Sequence, residues 1–185
     1  MLEVLPVVFL TGFLNRIADM VADDGMKLNM NVAYIAGILY GFLIAYTITH
    51  YPLLAPLGLA VVLSVLMTGK IDHPVHYLGI SSMLFFSAFF GFFRTDMAVL
   101  VFFIAAAAID EIGNGLSDRK RIRGIAGEFF RLRLTLDAAA FFISLASGSW
   151  IIFLSIIAYD LGFTYIFTRG VRSRLINITR QGFRL

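Results

Sequence analysis

The chain has 185 residues, of which 59% are hydrophobic and 19 are phenylalanine, and it contains no cysteine. Soluble globular domains are only about 45–50% apolar, so this composition excludes an ordinary water-soluble fold, and the lack of cysteine excludes disulfides and thiol chemistry. The formal net charge is only +3, and we expect the lipid bilayer, not nucleic acid, to be the main partner. The composition therefore predicts an integral membrane protein.

Seven apolar segments follow one another along the chain. A bilayer crossing takes roughly 20 mostly apolar residues, or roughly 17 at the short end, and the absence of two-residue alternation indicates helices. The predicted spans are Leu2 to Ala18, Val32 to His50, Leu53 to Met67, Tyr77 to Phe93, Met97 to Ile112, Leu134 to Ala146, and Trp150 to Phe167. They predict an all-α, polytopic transmembrane bundle over residues 1–168, followed by a basic amphipathic tail over residues 169–185.

The basic residues predict how this bundle is oriented. If the spans alternate in direction, every lysine and arginine except Arg94 falls on one side of the membrane. The positive-inside rule places that side in the cytoplasm. We therefore expect a multi-pass protein of the cell membrane, with its C-terminus and acidic loops cytoplasmic. The stretch from Arg119 to Thr135 mixes basic and apolar residues, which is typical of an interfacial amphipathic helix.

Two groups of polar residues recur at a spacing of four, at the cytoplasmic ends of the first and fifth spans. The groups are Asn15, Asp19 and Asp23, and Asp110, Asn114 and Asp118. On a helix this spacing puts each group on one face, where like carboxylates repel unless a cation lies between them. Oxygen ligands suit Mg²⁺, which keeps coordination positions open for phosphate oxygens. The pattern predicts that the four aspartates bind Mg²⁺ and thereby hold a diphosphate, with both asparagines completing the site.

These groups resemble the aspartate-rich motifs of the UbiA superfamily of intramembrane prenyltransferases. In that family the motifs read N-D-x-x-D-x-x-x-D and D-x-x-x-D-x-x-x-D, and four helices separate them, as here. Arg16 stands where the family has its first aspartate, Asn114 replaces another, and the chain matches only the second to eighth of nine helices. The resemblance implies Mg²⁺-dependent transfer of a prenyl group from a prenyl diphosphate to a lipophilic acceptor, with Asp19, Asp23, Asp110 and Asp118 catalytic.

Basic residues beside the acids are candidates for binding the diphosphate. Lys27 and Lys70 are isolated within polar loops, at positions similar to basic residues that serve the diphosphate in the family. Arg119 and Arg123 belong to a basic run, and arginine forks suit phosphate oxygens. For most of this run, attraction to anionic headgroups is the favoured interpretation.

Other polar residues and other functions enter the comparison. His73 and His76 have the spacing of a metal-binding pair, but Pro74 between them argues against a helix that holds both. Asp160 lies inside the last span, where we expect a hydrogen bond within the bundle, away from the cytoplasmic site. A cation transporter or channel is an alternative function, and a non-catalytic partner subunit of a larger complex or oligomer is another.

Overall fold

The computed structural model describes residues 2–22, 29–69, 73–91 and 94–165, and these residues form eight α-helices and no strand. The helices are α1 Val4–Ala22, α2 Met30–His50, α3 Ala55–Met67, α4 Pro74–Phe90, α5 Met97–Asp118, α6 Gly124–Arg131, α7 Leu134–Ser147 and α8 Ile151–Tyr165. The all-helical prediction is confirmed over this part of the chain. The predicted site residues Asp23, Lys27 and Lys70, and the tail over residues 169–185, lie outside the described residues.

Local sequence sets the ends of several helices. The carboxylate of Asp96 accepts hydrogen bonds from two backbone N–H groups at 2.9 and 3.1 Å and so begins α5. His73 begins α4 in the same way, and Pro74 follows at a position where its missing N–H costs no hydrogen bond. Gly148 ends α7 in the left-handed conformation that glycine adopts without strain. These signals are local, which is why the sequence located the helices well.

Neighbouring helices in sequence are not always the closest neighbours in the bundle. α1 packs between α2 and α8, α2 also packs on α4, and α5 packs between α3 and α7. α7 in turn contacts α8. This order matters for function because α1 packs on α8, α5 packs on α7, and α7 and α8 contact each other.

Two glycines allow α1 and α8 to pack closely. A Cβ atom at Gly12 would collide with the backbone carbonyl of Tyr159, and one at Gly162 would collide with the carbonyl of Phe9. Small residues at such crossings are typical of helices that pack in lipid, where close backbone approach replaces the hydrophobic drive.

The outer surface of the bundle is apolar. Phe89 is 77% exposed, and Phe85, Phe142 and Val101 are each more than 60% exposed. Soluble proteins rarely expose an apolar surface of this kind unless it contacts a membrane or another protein. Together with the apolar helices, it supports insertion in a membrane.

Helix length supports three membrane spans rather than the predicted seven. Val4–Val21, Met30–His50 and Met97–Asp118 are long and apolar enough to cross a bilayer. The other four apolar helices, α3, α4, α7 and α8, have 13, 17, 14 and 15 residues. At about 1.5 Å per residue, the shortest of them covers only about two thirds of a hydrocarbon core that is roughly 30 Å thick.

The predicted interfacial segment contains the short helix α6. Ile125 is 92% exposed on this helix, whereas the ring of Phe130 packs against Gly113 of α5. The hydroxyl of Ser117 donates to the carbonyl of Gly127 at 3.2 Å, which also holds α6 to the end of α5. α6 and the turns beside it therefore form the connection between α5 and α7.

Candidate functional site

The first motif lies near the C-terminal end of α1 and contacts two other helices. The amide of Asn15 donates to the hydroxyl of Tyr159 on α8, at 2.6 Å. One turn further along, a carboxylate oxygen of Asp19 lies 3.6 Å from Nε2 of His76 on α4. The spacing of four residues thus brings both side chains to the inside of the bundle, on one side of the helix.

His76 connects Asp19 to a second tyrosine. Nδ1 of His76 lies 3.4 Å from the hydroxyl of Tyr40, whose side chain reaches it from the middle of α2. His73, by contrast, accepts a hydrogen bond from the N–H of Val75 at 3.3 Å and caps the helix. The two histidines therefore have different partners, and of the two only His76 lies within α4.

The second motif runs from the interior to the surface of the bundle. Asp110 is only 1% exposed, and its two carboxylate oxygens accept hydrogen bonds from the N–H groups of Thr135 at 3.1 Å and Leu136 at 2.7 Å. Asn114 is half-buried and Asp118 is exposed. Asp110 therefore caps the N-terminal end of α7, a structural use that the spacing alone did not predict.

An ion pair beside Asp110 joins the same two parts of the chain. Nη2 of Arg133 lies 3.0 Å from a carboxylate oxygen of Glu111. The Glu111 side chain is 5% exposed and that of Arg133 is 46% exposed. The arginine therefore links a buried carboxylate to a more open region at the start of α7.

Charges connect the two motifs across α7 and α8. The hydroxyl of Tyr159 lies within electrostatic range of Asp19 from the first motif and of Arg133 beside the second. Asp160 lies within electrostatic range of Asp137 and Arg133, and Asp137 lies within electrostatic range of Asp110. Electrostatic interactions thus link the two motifs through one group of side chains, which we call the polar cluster. Its members are Asn15, Asp19, Tyr40, His76, Asp110, Glu111, Arg133, Asp137, Tyr159 and Asp160.

The polar cluster lies in one half of the bundle. Its members come from the C-terminal halves of α1, α5 and α8 and from the N-terminal parts of α4 and α7, with Tyr40 reaching in from α2. Asp160 is linked to the cluster by electrostatic interactions, and the expectation that it makes a hydrogen bond within the bundle stays a prediction. Asp160 lies five residues before the end of α8 and within electrostatic range of Arg133.

Arg119 and Arg123, the two described basic residues that the sequence analysis proposed for the site, are not among the members of the polar cluster. Arg119 and Arg123 are exposed on the turn between α5 and α6, where Nε of Arg123 donates to the carbonyl of Lys120 at 3.0 Å. Arg16, which replaces the family's first aspartate, is 8% exposed and lies over the ring of Phe163, 5.2 Å from its centre. Its charge therefore stays near α8 and near the cluster.

Sequence reasoning missed several members of the cluster. Glu111 and Arg133 lie in segments that looked like a motif flank and a basic linker, and their pairing depends on how α6 folds back. Asp137 and Tyr159 could have been identified from the sequence, because each is a polar residue within an apolar stretch and such residues are candidates for a functional role. Only the packing of α8 against α1 identifies Tyr159 as the partner of Asn15.

The described residues supply part of a magnesium site at most. Among residues 2–22, 29–69, 73–91 and 94–165, no three carboxylate or imidazole side chains are grouped closely enough to hold a metal ion. Both oxygens of Asp110 already accept backbone hydrogen bonds. A carboxylate oxygen of Asp19 lies 3.6 Å from Nε2 of His76, and Asp23 lies outside the described residues.

No family model, curated protein or solved structure matches this chain.

Proposed function

We propose that the chain is a membrane-embedded, UbiA-like transferase that moves a prenyl group from a prenyl diphosphate to a lipophilic acceptor. The observation that carries the proposal is that two polar motifs on α1 and α5, far apart in sequence, contact α4, α7 and α8, and that Arg133 beside the second motif lies within electrostatic range of Tyr159, the partner of the first. A prenyl diphosphate has a matching division into an anionic head and an apolar tail. The cluster would bind the head, and the surrounding apolar helices would contact the tail.

The surroundings of the cluster suit this chemistry. Phe103, Leu136 and Ala140 are among the buried apolar residues of the adjoining core. Low-dielectric surroundings strengthen the interaction of a diphosphate with nearby donors and exclude water that would hydrolyse the prenyl donor. The cluster lies in one half of the bundle. This position favours a site entered from one face, because a continuous cation pathway needs polar groups along its whole length.

Magnesium is part of the proposal. Asp19 would be one ligand, and Asp23, four residues later in the first motif, would be a second. When bound, Mg²⁺ would neutralise the charge of the departing diphosphate. Asp110 would act mainly by holding the start of α7 in place, because its oxygens already accept hydrogen bonds there.

We also propose that the four shorter apolar helices lie in the same bilayer as α1, α2 and α5, giving a seven-pass arrangement. The polar cluster would then lie on the cytoplasmic side, with the basic turn between α5 and α6 at the anionic headgroups. The concentration of basic residues on one predicted side supports this orientation.

The test is Mg²⁺-dependent binding of geranylgeranyl diphosphate to the purified protein in nanodiscs, measured by isothermal titration calorimetry. We expect binding that EDTA abolishes and that Asp19→Asn weakens by about tenfold, the effect of losing roughly 1.4 kcal/mol of binding free energy. Asp96→Asn is the matched control, because Asn caps a helix as well as Asp and Asp96 begins α5 outside the cluster. Binding that ignores both magnesium and Asp19→Asn would reject the proposal.

A further inference from the structure

We propose that Arg133 and Tyr159 recognise the diphosphate group directly, an assignment that rests on the proposed function and deepens it. Sequence reasoning favoured Lys27 and Lys70 for this purpose, with Arg119 and Arg123 as further candidates. The side-chain geometry of the described residues points instead to this pair, which comes from the α6–α7 junction and from α8.

The backbone of Arg133 is the first observation. It has φ 56° and ψ 34°, the left-handed conformation, which residues other than glycine adopt only at an energetic cost. Its N–H closes the end of α6 on the carbonyl of Phe130 at 3.1 Å, a position where glycine is the usual residue. The strain is consistent with a side chain that serves a purpose at this position, because glycine would end the helix at lower cost.

The contacts of the Arg133 guanidinium are the second observation. Nη2 pairs with Glu111, whose side chain is 5% exposed, while the arginine side chain itself is 46% exposed. A guanidinium carries five N–H donors in a rigid fork, so an ion pair through Nη2 still leaves donors for a second anion. Glu111 thus orients the arginine, and the exposed part of the fork can bind phosphate oxygens.

Tyr159 supplies a neutral donor within electrostatic range of Arg133. Its oxygen accepts a hydrogen bond of 2.6 Å from the amide of Asn15, and the hydroxyl can donate its own proton to another acceptor. The charges of Asp19 and Arg133 both act on this hydroxyl. A phosphate oxygen bound by Arg133 would therefore lie near a hydroxyl proton whose direction Asn15 helps to set.

The exposed basic residues are weaker candidates on physical grounds. Arg119 and Arg123 lie on a solvent-facing turn, where water and salt screen their attraction for an anion. Arg133 lies against a buried carboxylate and beside apolar helices, where the local dielectric is lower. One arginine charge therefore contributes more to the binding of a phosphate anion at the cluster than on the turn.

The experiment compares two prenyl ligands that differ only in their head group. Geranylgeranyl diphosphate and geranylgeraniol are each titrated into the Mg²⁺-loaded protein in nanodiscs. We expect Arg133→Gln to weaken diphosphate binding by at least tenfold and Tyr159→Phe by about threefold, with geranylgeraniol binding within twofold of wild type. Arg133→Lys, which keeps the charge but loses the fork, should give an intermediate loss. The matched controls are Arg123→Gln, an exposed arginine, and Tyr46→Phe, whose ring packs against His50 and Phe90.

The outcomes separate this assignment from the proposed function. Diphosphate binding that survives Arg133→Gln and Tyr159→Phe but falls in Arg123→Gln would overturn the assignment and leave the transferase proposal in place. Equal losses for the diphosphate and for geranylgeraniol would also overturn it, because they would indicate a general structural effect. No diphosphate binding by the wild-type protein would reject both.

Discussion

Individual residues in this chain combine structural and candidate functional uses, and Asp110 is the clearest example. Its spacing from Asn114 and Asp118 predicts a metal ligand, yet its two oxygens accept the N–H groups that begin α7. A buried carboxylate in this position satisfies two backbone donors and places a negative charge at the positive end of a helix. Loss of activity in an Asp110 variant would therefore not by itself identify a metal site.

We predict that Asp110→Ala destabilises the protein by about 2–4 kcal/mol with or without Mg²⁺, because two buried N–H groups lose their acceptor. Thermal unfolding in detergent, measured with magnesium and with EDTA, would give the two values. Asp118→Ala is the control from the same motif, and its exposed side chain should change stability by no more than about 0.5 kcal/mol. A stability loss for Asp110→Ala that appears only with magnesium would contradict the capping interpretation.

At the scale of helices, the crossing of α1 and α8 decides whether the polar cluster exists. Gly12 and Gly162 let the two backbones approach, and this approach brings Asn15 within 2.6 Å of Tyr159. Wider separation of these helices would break that hydrogen bond before it disturbed the apolar core. The crossing therefore links a packing feature, two small residues, to the geometry of the candidate site.

We predict that Gly12→Ala lowers stability by roughly 2–3 kcal/mol, since the added methyl group meets the backbone carbonyl of Tyr159 and the helices must separate. Gly115→Ala is the matched control on α5, because nothing lies within 4 Å of its added Cβ. There the higher helix propensity of alanine should raise stability by up to about 1 kcal/mol. Similar effects of both substitutions on the unfolding temperature would argue against the proposed crossing.

At the scale of the whole molecule, a polar end and an apolar surface are the dominant features. Three helices have the length and composition of membrane spans, and four further apolar helices pack against them. The charged and hydrogen-bonding side chains of the cluster lie in one half of the bundle. This distribution supports a site near one membrane surface, and topology mapping can decide which surface that is.

We predict that Arg121→Cys is labelled by a membrane-impermeant maleimide only after the cells are permeabilised, whereas Arg94→Cys is labelled in intact cells. Both side chains are exposed, and the chain has no native cysteine to interfere. The positive-inside rule gives this result because Arg121 belongs to the basic run and Arg94 stands alone. Labelling of both positions from the same side would exclude the seven-pass arrangement with an odd number of spans.

The amino-acid sequence alone determined the helical character of the chain and the approximate position of each helix. Apolar segments, helix caps such as Asp96 and breaks such as Pro74 act over a few residues, so they can be read without the fold. The sequence also placed Asn15 and Asp19 on one face of α1, which is a consequence of helical periodicity.

The tertiary structure alone decided which side chains meet. The pairing of Arg133 with Glu111, of Asn15 with Tyr159 and of Asp110 with the start of α7 joins residues on different helices. Such contacts depend on the order in which helices pack and on how far each helix extends. Neither quantity is set by local spacing, since membrane helices with similar apolar surfaces can pack in several orders, and small residues and polar contacts select among them.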